Sequence, residues 1–153
     1  MPRATARLPA AYPMSRAPKA SVSRYAIQIR PPTAKRAAAI GCTGIVVSNH
    51  GGRQLDGSRA SFDQLAEIVD AVGDRIDVLM DGGVQRGTHV LKALSVGAKA
   101  VGVGRYNLYP LAAAGQAGVD RALGLMKAEL ERDMKLMGCI AIGQLSRDNL
   151  RLR

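Results

Sequence analysis

The chain has 153 residues, 47% of them apolar, and a formal net charge of +10, which is room for one domain with a real core. No apolar run nears the roughly 18 residues that cross a bilayer, so no membrane span is expected. The charge would suit a nucleic acid, yet residues 1–40 hold eight Lys and Arg and no acid, while residues 41–153 hold 14 basic against 12 acidic residues, leaving +2. The excess belongs to the leading segment, and nothing in the remainder calls for a specific nucleic-acid partner.

Residues 1–32 show no sustained helical or strand period, and six of the seven prolines lie before position 41. Proline removes a donor and fixes φ, so this segment reads as a disordered or non-native leader. An organelle-targeting peptide and a nucleic-acid-binding tail are the two other readings an Arg-rich, acid-free start allows. From residue 33 to 153 the pattern is regular and reads as one domain. Ala34 to Ile40 is the end of a helix stopped by Gly41. Cys42 and Cys139 lack metal-ligand spacing and read as buried free thiols, which suits a reducing cytoplasm. Contact with a membrane surface remains compatible with the basic start.

Ile45-Val46-Val47 is a short buried strand running into Ser48-Asn49-His50-Gly51-Gly52-Arg53. Ser61 then opens a helix with capping-box spacing to Gln64, carrying Phe62, Leu65, Ile68 and Val72 on one face and ending at Gly73. Val78-Leu79-Met80 is a second strand, running into Asp81-Gly82-Gly83. Thr88 caps the next helix, closed by Gly97. Ala100 to Val103 is a third strand, running into Gly104-Arg105. A long helix follows, with Val119, Leu123, Met126, Leu130, Met134 and Met137 on one stripe and a Glu131–Lys135 pair on the other side. Continuous apolar strands alternating with helices imply a parallel α/β sheet. In such folds, chemistry sits at the carboxyl ends of the strands.

The three strand-end loops carry chemistry-bearing residues. Asp81 to Gly87 follows a strand and opens a helix, so its glycines let backbone N–H groups approach an anion at a helix N-terminus. Gly104-Arg105 adds a guanidinium that can grip phosphate bidentately. At the first loop, Gly51 and Gly52 clear space beside His50, whose imidazole can accept a hydroxyl proton, and Arg53 can clamp a carboxylate. Either glycine loop alone could be only a tight turn. Asp56 reads as a loop cap, Arg59 as a solvated cation and His89 as a surface residue.

Ser48-Asn49-His50-Gly51-Gly52-Arg53-Gln54-Leu55-Asp56 resembles the signature of the FMN-dependent α-hydroxy-acid oxidising enzymes. Asp81-Gly82-Gly83-Val84 with Gly104-Arg105 is similar to that family's flavin-phosphate segment, and the likeness runs over about residues 34–150. The resemblance implies a (β/α)8 TIM barrel, FMN as cofactor, and oxidation of an L-2-hydroxy acid, with L-lactate to pyruvate foremost. His50 would accept the proton and Arg53 would hold the substrate carboxylate. Ser48, Asp81, Gly82, Gly83, Val84, Gln85, Gly104 and Arg105 would contact FMN. The electron acceptor is not named by these residues, and the full-length family would allow a homo-oligomer. Gln85 departs from the family's usual arginine, with Arg86 and Arg105 left as nearby cations. A whole barrel takes about 250 residues, so the chain reads as about three βα units of its C-terminal part. The family's earlier strands, substrate-binding tyrosines and flavin-side lysine find no match in residues 1–32. Another phosphate-binding barrel, of the inosine-phosphate dehydrogenase kind, and a non-enzymatic basic nucleic-acid binder are the alternative readings.

Overall fold

The computed structural model describes residues 24–27, as backbone strand, and residues 30–151. The elements alternate along the chain: β1 (Arg24–Ile27), α1 (Pro31–Ala39), β2 (Gly44–Ser48), α2 (Ser61–Val72), β3 (Asp77–Met80), α3 (Gly87–Val96), β4 (Ala100–Val101) and α4 (Arg105–Leu136). The four strands form one sheet in the order β1-β2-β3-β4. Every pairing is parallel. That is the arrangement expected of short apolar strands joined by helical crossovers.

Alternation sets the core. Ile45, Val47, Val78 and Met80 point to the helix-covered side of the sheet and are buried. They meet Leu65, Ile68 and Val72 of α2, each wholly buried, together with Ala93 and Val96 of α3 and Met126 of α4. Burying a side chain of this size stabilises the fold by about 1.5–3 kcal/mol. A smaller cluster of Leu91, Met134 and Cys139 fixes the far end of α4 to α3. Arg147 ties the C-terminal turn back to the body, donating to the Asp70 carboxylate and to the carbonyls of Ala66 and Val96.

Several local expectations are corrected. β1 and the prolines that open α1 fall inside the segment read as leader, so three expected strands become four. Four residues bounded by prolines are too few to show a period, while prolines in the first turn of a helix cost no hydrogen bond. The rest of the leader, residues 1–23 and 28–29, lies outside the described residues, as do the targeting and nucleic-acid readings placed on it. Neither expected helix cap forms. Ala60 is the N-cap of α2, and Ser61 is its first residue, bonded elsewhere. Arg86 precedes α3, whose Gly87 N–H is satisfied by the Glu129 carboxylate instead of Thr88. β4 is only two residues long, not four. The long helix is kinked: Ala114 and Gly115 leave helical geometry, with Gly115 at φ 58°. Along its expected stripe Met126 and Met134 are buried, but Leu123 is 42% exposed. The exposed i,i+4 pair on it is Lys127–Glu131, at 3.7 Å.

Candidate functional site

β2 delivers the first loop. Ser48 is buried at the strand's end, and its Oγ accepts the His50 N–H at 3.1 Å. The Asn49 side chain accepts the Gly51 N–H at 2.9 Å, forming an Asx turn. The Asn49 N–H in turn donates to Ser61 Oγ at the start of α2, at 3.1 Å. Held from three sides, His50 adopts φ 53° and is the one non-glycine at positive φ among the described residues. Left-handed backbone at a residue other than glycine costs energy and is retained where neighbours enforce it. A tight 3-10 turn over His50–Gly52 follows and leads to Arg53. Asp56 accepts its neighbour's N–H at Gly57, consistent with the loop-cap reading.

β3 delivers the second loop. Gly82 and Gly83 have φ of 98° and 73°, conformations that exclude ordinary side chains. A Cβ on Gly82 would stand 2.9 Å from Ser61 Oγ and 3.1 Å from Asn49 Oδ1, so this glycine lets the first two loops touch. Nothing lies within 4 Å of a Cβ built on Gly83, which leaves its backbone open to a ligand. Asp81 is half-buried, and its Oδ1 is buried without a hydrogen-bond partner. β4 delivers the third loop, Gly104-Arg105. Arg105 Nη2 would be 3.4 Å from a Cβ on Gly51, so its guanidinium reaches back to the His50 turn.

The loops enclose a cavity of about 720 Å³. Ser48, His50, Arg53, Asp81, Gly82, Gly83, Val84, Gln85, Gly104 and Arg105 all line it. Sequence reasoning brought these ten residues forward from three separate stretches, and the fold brings them to one cavity. Sequence reasoning missed the rest of the lining, Tyr106, Leu108, Tyr109, Pro110, Ala122 and Leu125 of α4. The kink at Ala114-Gly115 folds α4 back on itself, and the Tyr106 hydroxyl donates to the Ala122 carbonyl at 2.7 Å across the bend. Pro110 and Gly115 within an apparent helix were the signal for that bend.

Three polar side chains stand differently from their expected roles. Arg86 is committed to Glu129, through Nε at 2.8 and 3.2 Å and through Nη2, and is not a free cation beside Gln85. This ion pair and the Gly87 N–H hold the Glu129 carboxyl down to about 2 from an ordinary 4.5. His89 is half-buried: its Nδ1 accepts the Gln85 N–H at 3.3 Å and thereby shapes the second loop. Arg59 is exposed yet engaged, donating to Glu67 at 2.7 Å and to the Asp63 carbonyl.

The sequence model for the FMN-dependent dehydrogenases matches residues 28–152. The chain belongs to the FMN-dependent dehydrogenase family. An L-lactate oxidase of Nostoc sp. is 49% identical over 124 residues, covering 81% of this chain and 34% of the relative. A peroxisomal (S)-2-hydroxyacid oxidase of Arabidopsis thaliana is 50% identical over 118 residues, covering 77% of this chain and 32% of the relative. Among solved structures, a flavocytochrome b2 variant superposes with a TM-score of 0.83 at 44% identity, covering 88% of this chain and 36% of the other. The chain thus spans about a third of the length of the curated relatives it matches. Its four parallel strands and their helices are part of the barrel of FMN-dependent dehydrogenases. Membership of this family sets aside the inosine-phosphate dehydrogenase reading. No helix among the described residues is long and apolar enough to cross a membrane.

Proposed function

We propose that this chain carries the phosphate-binding and proton-accepting part of a site that oxidises an L-2-hydroxy acid, L-lactate foremost, with FMN as cofactor. The observation that carries the reading is the convergence of His50, Arg53 and the two glycine loops on one cavity. The cavity's chemistry fits the cofactor. The unpaired Asp81 Oδ1 is an acceptor suited to a ribityl hydroxyl. The open backbone of Gly83 and the guanidinium of Arg105 suit a terminal phosphate. Gln85 contributes no charge there, and Arg86 is held by Glu129, so Arg105 is the cation on which phosphate affinity rests. When bound, FMN supplies an acceptor for the two electrons that leave the substrate.

The chain's own groups handle the rest. Arg53 presents a planar fork to the substrate carboxylate, fixing which way the hydroxyl points. His50 accepts the hydroxyl proton, and its left-handed backbone, held through the Ser48 and Asn49 side chains, sets where the imidazole leaves the chain. Leu108, Tyr109 and Leu125 give the cavity an apolar side, yet they are 59%, 66% and 52% exposed. Water is therefore excluded only when further walls are added. The isolated chain is expected to bind FMN marginally and to oxidise no measurable lactate.

The test uses a barrel completed with the N-terminal part of the Nostoc lactate oxidase. There, His50→Ala should lower the maximal rate of lactate oxidation by at least about a hundredfold, the usual scale for a general base. Flavin fluorescence titration should show unchanged FMN affinity, since the phosphate loops are intact. Near-normal turnover of L-lactate would remove His50 from the chemistry.

A further inference from the structure

A second cavity, of about 460 Å³, adjoins the second loop. Gly82, Gly83 and Val84 line both this cavity and the larger one, so the loop's backbone is a wall shared by the two. His89 and Lys92, neighbours three residues apart on α3, line only the smaller. His89 is a group that the proposed chemistry does not use. Its Nδ1 accepts the Gln85 N–H at 3.3 Å. An imidazole accepts only when neutral, and accepting at Nδ1 leaves its one proton on Nε2. In that state His89 occupies a backbone donor of the loop whose N–H groups suit a phosphate.

The surroundings decide what a proton on His89 would do. The charged groups lining the cavity with it are Lys92 and Arg105, both cations. The loop after β2 and the start of α2 line it with Asn49, Ser61 and Phe62, none of them charged. Carboxylates of adjoining elements are placed elsewhere. Asp81 lines the larger cavity, and Glu129 holds Arg86 and the Gly87 N–H against α4. Gly87 packs on α4, and two further residues turn His89 by about 200° around the helix, away from it. Among the described residues no carboxylate lines this cavity. An imidazolium formed here has no acid to pair with, so its counter-ion is an anion bound at the loop.

We propose that His89 makes the anion affinity of the Asp81–Gly87 loop depend on pH, rising as pH falls. The proposal rests on the reading of this loop as the phosphate end of a cofactor site. Protonation acts twice in one direction. It releases the Gln85 N–H, since a protonated Nδ1 donates and cannot accept, and it adds a positive charge to a lining that already holds Lys92 and Arg105. Gln85 itself brings no charge, so in acid His89 supplies a cation that the neighbouring position does not. Losing the hydrogen bond leaves the loop in place, because Val84 is buried and Gly87 is seated on α4. An imidazole changes charge between about pH 5 and 8, a range in which Lys and Arg ordinarily stay charged. His89 is therefore the lining group whose state varies over that range.

Sulfate, which stays a dianion across this range, is the probe. The whole 153-residue chain is titrated with it at constant ionic strength while nuclear magnetic resonance follows the Gly83 amide. Affinity should be about fivefold higher at about pH 5 than at about pH 8, the equilibrium factor of one ordinary hydrogen bond. His89→Asn offers an oxygen to the Gln85 N–H but does not titrate. The excess pH dependence of the unaltered chain over this variant is the part due to His89, since His50, the other of the two histidines, is common to both. His89→Lys carries the charge and no acceptor, and should bind sulfate at about pH 8 as tightly as the unaltered chain does at about pH 5. The imidazole nitrogen shifts of the unaltered chain at the upper end of the range should show His89 as the Nε2–H tautomer. Equal pH dependence in the unaltered chain and His89→Asn, weaker sulfate binding in acid, or a neutral His89 protonated at Nδ1 would each overturn the proposal and leave the phosphate reading standing. A Gly83 amide that sulfate moves at neither pH would overturn both.

Discussion

At the Asp81–Arg86 end of the cavity the backbone is held from beneath. Val84 is buried, Gly87 seats α3 directly on α4, and Glu129 binds the Arg86 side chain and the Gly87 N–H together. At the other end, every residue from His50 to Gly57 is exposed, and the loop is fixed mainly at its root by Ser48, Asn49 and Ser61. The contrast separates two requirements. Cradling a phosphate needs a helix N-terminus and glycine backbone, which neighbouring βα units can support by themselves. Positioning a proton acceptor against a substrate needs walls around the exposed loop, and those come from elsewhere in a barrel.

The strongest way to break this contrast is to dislodge the supported end. A Cβ on Gly87 would stand 2.6 Å from the Leu130 nitrogen and 2.6 Å from the Met126 oxygen. Both are backbone atoms of α4 and cannot swing aside. Gly87→Ala should therefore cost about 3 kcal/mol, the upper range for overpacking, and part α3 from α4. Urea unfolding of the chain measures it, and an unchanged midpoint would mean that the helices are not in the close contact described.

A smaller effect is expected from charge at the same place. The Glu129 carboxyl titrates near 2 in the folded chain, against 4.5 ordinarily, chiefly through its hydrogen bonds with Arg86 and then with the Gly87 N–H. Its folded pKa is depressed, so its stabilisation is complete above about 4.5 and is lost as pH falls toward 2. Glu129→Gln should lower the melting temperature at neutral pH and flatten the stability profile between those values. The two proteins should converge below them. Parallel profiles across that window would show that the ion pair contributes nothing to the fold, as many exposed pairs do.

Much of this architecture is legible in the residue pattern alone. The continuous apolar strands at Ile45–Val47 and Val78–Met80 announce a parallel sheet, and the glycines and polar residues at their carboxyl ends announce the cavity wall. Such signals are local: a strand, a turn and a helix start follow one another along a short stretch of chain. What the pattern hides is non-local. Glu129 lies 42 residues from the Gly87 N–H it accepts, and no spacing rule links them. Ser61 has the composition of a helix cap but bonds to Asn49, 12 residues back, because the loop after β2 returns over the start of α2. The α4 wall is hidden by its own apolar stripe, which reads the same whether a helix is straight or bent at Gly115. β1 is too short to carry a period at all.

The finest test of the contrast lies at Ser61. It is 2% exposed, and its Oγ is the partner of the Asn49 N–H that anchors the root of the exposed loop. Ser61→Ala removes no helix cap, because Ala60 occupies that position, and it adds no bulk. It leaves one part-buried N–H without an acceptor, at a cost of about 1 kcal/mol. The loss should stay local. Amide exchange at Asn49 and Gly51 should quicken as the Asx turn loosens around the left-handed His50, while Val84 and Gly87 exchange as before. Equal acceleration at both ends would mean that the contact between Gly82 and Ser61 couples the loops into one unit. Unchanged exchange at Asn49 would mean that Ser48 and the Asn49 side chain hold His50 without help from α2.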